Sequence, residues 1–498
     1  MSKRLPIELW HEILLLISRE RRRDLEHVYA TDRTLRAISR PLLFSHLVFH
    51  PYHRVATENQ AHPEPALPSP EAVQFALDRL EFWSSDEIAP FVQECEVAPR
   101  YRYCESEEEA ELQPHTDSLH ILMTSFLNCL RKFTNIKKFS AESANFTQAG
   151  LCNLCQLPLL REVVIRWCNI VPGETIDMTG LELPTLKLVY WAGGDASQGP
   201  NNLWLTVVNR KHLRELEWSG TAAGDAVSQG PAFSNVHTLA FSANLGTMNL
   251  NLALLSKFPA VRTLRGSGWG DSNDEPADVP LWRVSDVLPL LQEYRGTCRF
   301  LKTFLPKPTL ARLVLDDGLT TPGILLSQLD GQYGHITSLD ATLTNLDHHV
   351  LSTICISLPG LIDLRIRIGY LEDDEIDEYE NGVNTRATDF FSTLKDTHRL
   401  PSTLQRLALS WEFDFEYFED NEQGPPTALP ENVPDFFEIR EKLRERCPAL
   451  RTLWLDGHDF MFKWRQMVDR EEVEQENEIE ASEIFYVREK FEDFWQGR

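Results

Sequence analysis

The residue types able to do chemistry are few and scattered. Cys152 and Cys155 form a C-x-x-C pair in "CNLC", with Cys168 close behind. A zinc site needs four well-placed ligands, and no second pair stands at a matching distance. The three thiols therefore read as interior residues of a repeat. His348 and His349 are adjacent, so from a helix or a strand their rings diverge, and no metal role is assigned to them. "SGWGDSNDE" carries Gly and Asp but lacks the ordered ligand spacing of a calcium loop and reads as a surface insertion. No P-loop, dinucleotide fingerprint or nucleophile elbow occurs. These observations predict no catalytic residue, no metal and no cofactor. The chain is expected to bind rather than to catalyse.

A different set of residues fits binding. Arg265, Arg295, Arg312, Arg365, Arg367 and Arg406 stand beside the leucines of a recurring L-x-x-L-x-L pattern. A guanidinium fork suits carboxylate or phosphate, so such a ridge is a candidate surface for an acidic or phosphorylated segment of a protein target. Glu293, Asp316, Asp340 and Asp363 occupy similar positions and would pair with these arginines across neighbouring strands. Pairs of that kind contribute little when exposed.

The positioning element is the repeat. "CPALRTLWLDG" at 447–457 shows the unit, and "LPGLIDLRIRIG", "FPAVRTLRG" and "LPLLREVVIRW" repeat it. Looser copies include "KHLRELEWSG", "SNVHTLAFSA", "PTLARLVLDDG" and "STLQRLALSW". The first apolar position falls at Ile136, Leu160, Leu186, Leu213, Val236 and Val261, in steps of 24, 26, 27, 23 and 25 residues. Later rows begin at Leu291, Leu310, Ile336, Leu361, Leu404 and Leu450. One such motif means little, but a recurrence near one period predicts stacked strand-and-connector units. Alternate strand residues would enter the core, and those between them would line one face. This region resembles a leucine-rich-repeat region of fungal type. The resemblance implies a horseshoe of parallel strands and helices.

The N-terminus has another design. In "LPIELWHEILLLI", Leu9, Trp10, Ile13, Leu14, Leu16 and Ile17 cover an arc of roughly 160° at about 100° per residue, wider than one small neighbour requires. Pro6 suits a first helical turn. Asp24 is placed to cap a second helix carrying Leu25 and Val28, and Thr31 or Asp32 a third that Pro41 should stop. Three short helices in about 45 residues sit near the lower limit for independent folding and gain from sharing apolar surface with a partner. "LPIELWHEIL", "DLEHVYATDRTLRAIS" and "RPLLFSHLVF" together resemble an F-box, in a form similar to those of fungal F-box proteins. In that family the Leu-Pro pair and the apolar helix residues dock onto a small Skp-type adaptor, which links the chain to a cullin ubiquitin ligase. Carried over by position, Leu5, Pro6, Leu9, Ile13, Leu25 and Val28 are the adaptor contacts or their supports. The basic run "RERRR" departs from the family pattern.

Composition bounds the partners. Among 498 residues, 42% are hydrophobic and 12 are Trp, enough for a large core. The net charge is −26, although the first fifty residues carry nine Lys/Arg against six Asp/Glu. Such acidity argues against nucleic acid or an anionic membrane as the main partner. The apolar run "ILLLI" is shorter than the roughly 7–15 residues of a signal peptide or the ~20 of a membrane span. Nine scattered cysteines fit reduced thiols, and so a cytoplasmic or nuclear setting. The acidic runs "ESEEEAE", "LEDDEIDEYE" and "WEFDFEYFEDNE" read mainly as solvated insertions, although the alternating aromatics of the last suit an extended segment packed on one face. The expected class is α/β, with an F-box over residues 1–50, a proline-rich linker over 51–70, a repeat solenoid over 71–457 and an acidic helical cap or tail over 458–498.

Overall fold

Eleven of the twelve first-position residues named above lie two residues ahead of a strand and are buried. Val261, Leu291, Leu310, Ile336, Leu361, Leu404 and Leu450 are each no more than 2% exposed. The structure, a computed structural model, describes residues 7–20, 22–31, 33–51, 53–56, 64–66, 69–103, 119–170, 181–189, 204–205, 208–219, 231–242, 255–267, 287–369, 387–395, 400–411, 434–457, 460–466, 471–476 and 491–496. They fall in two units, Met1–Phe258 and Pro259–Arg498.

The first unit opens with three helices, α1 (Ile7–Glu20), α2 (Arg22–Thr31) and α3 (Arg33–Leu43). Two expectations about their ends change. Asp24 lies inside the first turn of α2, where a carboxylate favours the helix dipole. Pro41 lies within α3, which continues to Leu43. Seven strands follow, each parallel to its neighbour: His46–Phe49, Glu94–Val97, Lys138–Glu142, Glu162–Arg166, Thr185–Val189, Glu215–Ser219 and Thr238–Ser242. The third repeat row is set three residues earlier than its sequence spacing suggests. Thr185 pairs with Glu162, so buried Leu183 takes the first apolar position and Leu186 the second. "LPTLKL" offers both readings, and register with the neighbouring strand decides. Residues expected to form a plain linker contain two strands, His53–Ala56 and Glu64–Ala66, which join Arg100–Tyr103 in a small separate sheet.

The second unit repeats the ladder with Thr263–Ser267, Glu293–Gly296, Arg312–Thr320, Ser338–Leu343, Asp363–Ile368, Arg406–Trp411 and Thr452–Asp456, all parallel. Leu264, Tyr294, Leu313, Leu339, Leu364, Leu407 and Leu453 stand in one register row and are buried. Each buried side chain of this size contributes about 1.5–3 kcal/mol. Backbone bonds tie each turn to the one before: Ile362 N–H donates to Thr337 O, Gln405 N–H to Ile362 O and Arg451 N–H to Gln405 O, each at 2.8 Å. Connectors on the far side include the helices His348–Ser357 and Phe436–Arg446, capped by Asp347 and Asp435.

The end of the chain differs from the expected acidic helix. Met461–Gln466 and Glu471–Glu476 add two antiparallel strands beyond Thr452–Asp456, and a short helix, Phe491–Gln496, follows. Glu-rich sequence favours helix in isolation, but the last parallel strand offers unpaired backbone groups that a hairpin satisfies. The outermost strand, "EEVEQE", presents the charged edge that discourages further strand addition.

Candidate functional site

Two surfaces carry the sequence-predicted residues. On the first, Leu14, Leu25 and Leu43 form the buried centre of the three helices, with Ile17, Val28, Tyr29, Ile38, Leu42 and Phe44 packed around it. Leu25 and Val28 are therefore core and support. Leu9, Ile13 and Leu16 stay 49%, 37% and 57% exposed, and their i, i+4, i+7 spacing aligns them on one face of α1. Leu5 and Pro6 lie outside the described residues. Phe44 fastens this bundle to the helix Pro70–Trp83 through edge contacts with Phe82 at 5.9 Å and Trp83 at 5.4 Å. Arg40 adds a 2.9 Å ion pair to Glu87. A cleft of about 390 Å³ lies behind, between Tyr29, Phe44, Arg79 and Trp83. The exposed face thus stands on a braced support.

The second surface is the solvent side of the sheet in the second unit, where the six arginines divide into two groups. Arg265 and Arg295 are exposed and adjacent across the ladder. Arg312 is 56% exposed at its side chain and lies 3.9 Å from Glu293. The later three are more shielded. Asp340 lies 3.5 Å from Arg365 and 3.4 Å from Arg367, with all three side chains at least about three-quarters buried. Arg406 forms a fork onto Asp363, with Nη2–Oδ2 at 2.5 Å, and this bond raises the guanidinium's proton affinity.

The short C-terminal helix lies over these later arginines. Phe491 packs with Ala408, Trp454 and Met461, and Phe494 and Trp495 flank it. The Arg365 guanidinium sits 4.1 Å from the Phe491 ring centre, and that of Arg406 lies 5.0 Å from Trp495. Sequence reasoning missed Trp454 as a seat and Arg465, Phe491, Phe494 and Trp495 altogether. The available signal was "FEDFW", three aromatics at i, i+3 and i+4 in an otherwise acidic tail.

The remaining chemical candidates have structural surroundings. Cys155 lies at the end of the helix Gln148–Cys155, and burial together with Cys152 pushes its thiol up to about 11. Cys168 is buried and hydrogen-bonds the Arg166 carbonyl at 3.3 Å. His348 stacks on Phe390 at 4.4 Å. Among the described residues, no group of three or more His, Cys, Asp or Glu side chains is placed to hold a metal, and no helix is long and apolar enough to cross a membrane. "ESEEEAE", "LEDDEIDEYE", nearly all of "SGWGDSNDE", Asp316's side chain and "WEFDFEYFEDNE" beyond buried Trp411 lie outside what is described.

No family model matches the chain, and no curated protein matches it significantly. Solved structures with some similarity include the TLR13–ssRNA13 complex, at 12% identity and a TM-score of 0.23 over 66% of this chain. The match spans 56% of the TLR13 chain. Another is the Leptospira interrogans LRR protein LIC12759, at 12% identity and a TM-score of 0.21, covering 66% of this chain and 91% of that one. Neither likeness extends to a ligand or an activity.

Proposed function

We propose that the chain is the substrate-recognition subunit of a Skp-cullin-F-box type ubiquitin ligase. In this reading α1–α3 are an F-box of fungal type that holds a Skp-type adaptor, and through it a cullin. The leucine-rich-repeat sheet presents a protein target whose lysines are thereby concentrated near a recruited conjugating enzyme. The chain itself performs no bond-making step. The observation that carries the reading is the apolar face of Leu9, Ile13 and Leu16, left exposed on a braced three-helix unit. An i, i+4, i+7 row of this kind suits a helix laid in a partner's groove. Leu5 and Pro6 extend the same motif by sequence.

The alternative is a leucine-rich-repeat binding scaffold that does not direct ubiquitination. The two readings separate in a reconstituted reaction containing adaptor, cullin, conjugating enzyme and a captured target. The proposal expects ubiquitin transfer that depends on this chain and falls when Leu5 and Pro6 are both changed to Ala. Target capture without transfer, in the presence of a functional cullin complex, overturns it in favour of the scaffold.

A further inference from the structure

The helix Phe491–Gln496 occupies a position that ladder closure does not require. The open edge after Thr452–Asp456 is already covered by the antiparallel strands Met461–Gln466 and Glu471–Glu476. The helix lies instead on the solvent face of the sheet. Its seat is made of two register rows. One runs Arg365, Ala408, Trp454, Lys463 across four strands, and the next runs Asp363, Arg406, Thr452, Arg465. Residues of alternate positions share a face, so both rows look the same way, and Leu407, Leu409, Leu453 and Leu455 enter the core on the other side. Ala408 is the small member of its row and leaves a notch between Arg365 and Trp454. Phe491 fills it, meeting Trp454 edge-on at 4.9 Å.

The recognition chemistry is specific. Three guanidinium groups face three rings: Arg365 on Phe491 at 4.1 Å, Arg465 on Phe494 at 4.4 Å and Arg406 on Trp495 at 5.0 Å. Cation–π contacts of this kind are worth about 0.5–2 kcal/mol each, according to desolvation. Two of the arginines also read the backbone. Arg406 Nη1 donates to Trp495 O at 3.0 Å, and Arg465 Nη2 donates to Phe494 O. Carbonyls in the last turn of a helix have no partner within it, and cations there complement the helix dipole. The surface therefore reads aromatics at i, i+3 and i+4 together with the carbonyl end of one helical turn. A six-residue helix is not stable alone in water, so this one holds its shape because of the surface beneath it.

We infer that this face is a binding site for a short aromatic helix of a protein target, and that the chain's own C-terminal helix occupies it as a displaceable internal ligand. The inference rests on reading the sheet as the target-binding surface and is independent of adaptor binding. Residues 477–490 tether the helix, and tethers of this length give effective concentrations on the order of millimolar. A target would have to compete with that concentration. Occupancy by the tail thus sets a threshold for target binding.

The probe is a fluorescent peptide of residues 488–498, titrated into the full chain and followed by anisotropy. The full-length Phe491→Ala/Trp495→Ala variant should bind it at least about tenfold more tightly than the wild type, because the seat is vacated. Adding Arg465→Ala to that variant should weaken binding by about fivefold or more. In the wild type, saturating unlabelled peptide should accelerate hydrogen exchange of amides 491–496 while leaving 406–411 and 452–456 unchanged. Equal affinity for wild type and variant, or exchange at 491–496 that excess peptide does not alter, overturns the inference. Loss of the folded transition in the aromatic variant also overturns it, since the helix would then be an integral part of the unit. Failure of ubiquitin transfer with peptide displacement intact would count against the ligase reading alone.

Discussion

Reversing Arg365 and Arg367 to Glu tests whether the later arginines hold the sheet together. Both reach Asp340, at 3.5 and 3.4 Å, and the side chains of Arg365, Arg367 and Asp340 are only 20%, 23% and 17% exposed. Exposed ion pairs contribute about 0–1 kcal/mol, whereas removing one partner of a buried pair costs about 3–5 kcal/mol. Shielding of about four-fifths places the loss of both partners near 2–3 kcal/mol on that scale. Two new carboxylates near Asp340 add repulsion, about 1–2 kcal/mol after the side chains swing apart into higher dielectric. The total of about 4 kcal/mol corresponds to a fall of roughly 8–16 °C in Tm for a unit of this size. Thermal unfolding followed by near-ultraviolet circular dichroism reads it directly. The neutral pair Arg365→Gln/Arg367→Gln should lose about half as much. By contrast, reversing exposed Arg265 and Arg295 should move Tm by less than about 3 °C, which makes that pair the cleaner probe of target recruitment. A fall below about 2 °C for Arg365→Glu/Arg367→Glu would refute this reasoning and show that the Asp340 pairs do little to hold the sheet together.

Gly296 has φ +148°, and a Cβ there would lie 2.0 Å from the Gly266 carbonyl oxygen, so Gly296→Ala should cost at least about 2 kcal/mol. Gly323, helical with nothing within 4 Å of such a Cβ, should tolerate or gain from Ala, and urea midpoints of the two variants give the comparison. Burial pushes the thiols of Cys298 and Cys355 up to about 12 and that of Cys447 to about 11. At pH 8 these should label only on unfolding, after half-exposed Cys129 and Cys152. Mass spectrometry showing Cys447 labelled as fast as Cys152 would contradict their burial. His348 is held below its ordinary value by burial, so the unfolded chain takes up the proton first. Stability should be unaffected above about pH 6.5 and fall progressively below it, and His348→Phe should flatten the part of that loss due to this ring, read as Tm at pH 7.5 against pH 5.5.

The repeat was legible because its signal is redundant. Each L-x-x-L-x-L sets one buried position, and the next strand must match it, so period and register reinforce each other. Where the leucines overlapped, at Leu183 and Leu186, only pairing with the strand of Val163 could choose. Residues 461–466 and 471–476, expected to be helical, form strands for a related reason. Glu-rich segments carry a local helix preference, and the pull of an unsatisfied strand edge is not written in them. The six arginines were correctly placed on strands, yet their split into more exposed and more shielded groups depends on Asp340, Asp363 and a helix more than 80 residues further along the chain. At the N-terminus the over-wide arc of α1 was visible in the sequence. Which part of it stays exposed was decided by Leu14 meeting Leu25 and Leu43.

The central claim is tested most directly by isolating the full chain with a purified Skp-type adaptor and repeating the measurement with Leu9→Glu/Leu16→Glu. Each leucine is about half exposed, so completing its burial in a complex is worth about 1 kcal/mol per residue, and charge in its place adds a desolvation cost. The account predicts a one-to-one complex for the wild type, weakened at least about thirtyfold in the variant, with thermal stability of the chain unchanged. A wild type that forms no complex, or a variant that binds the adaptor equally well, would contradict it.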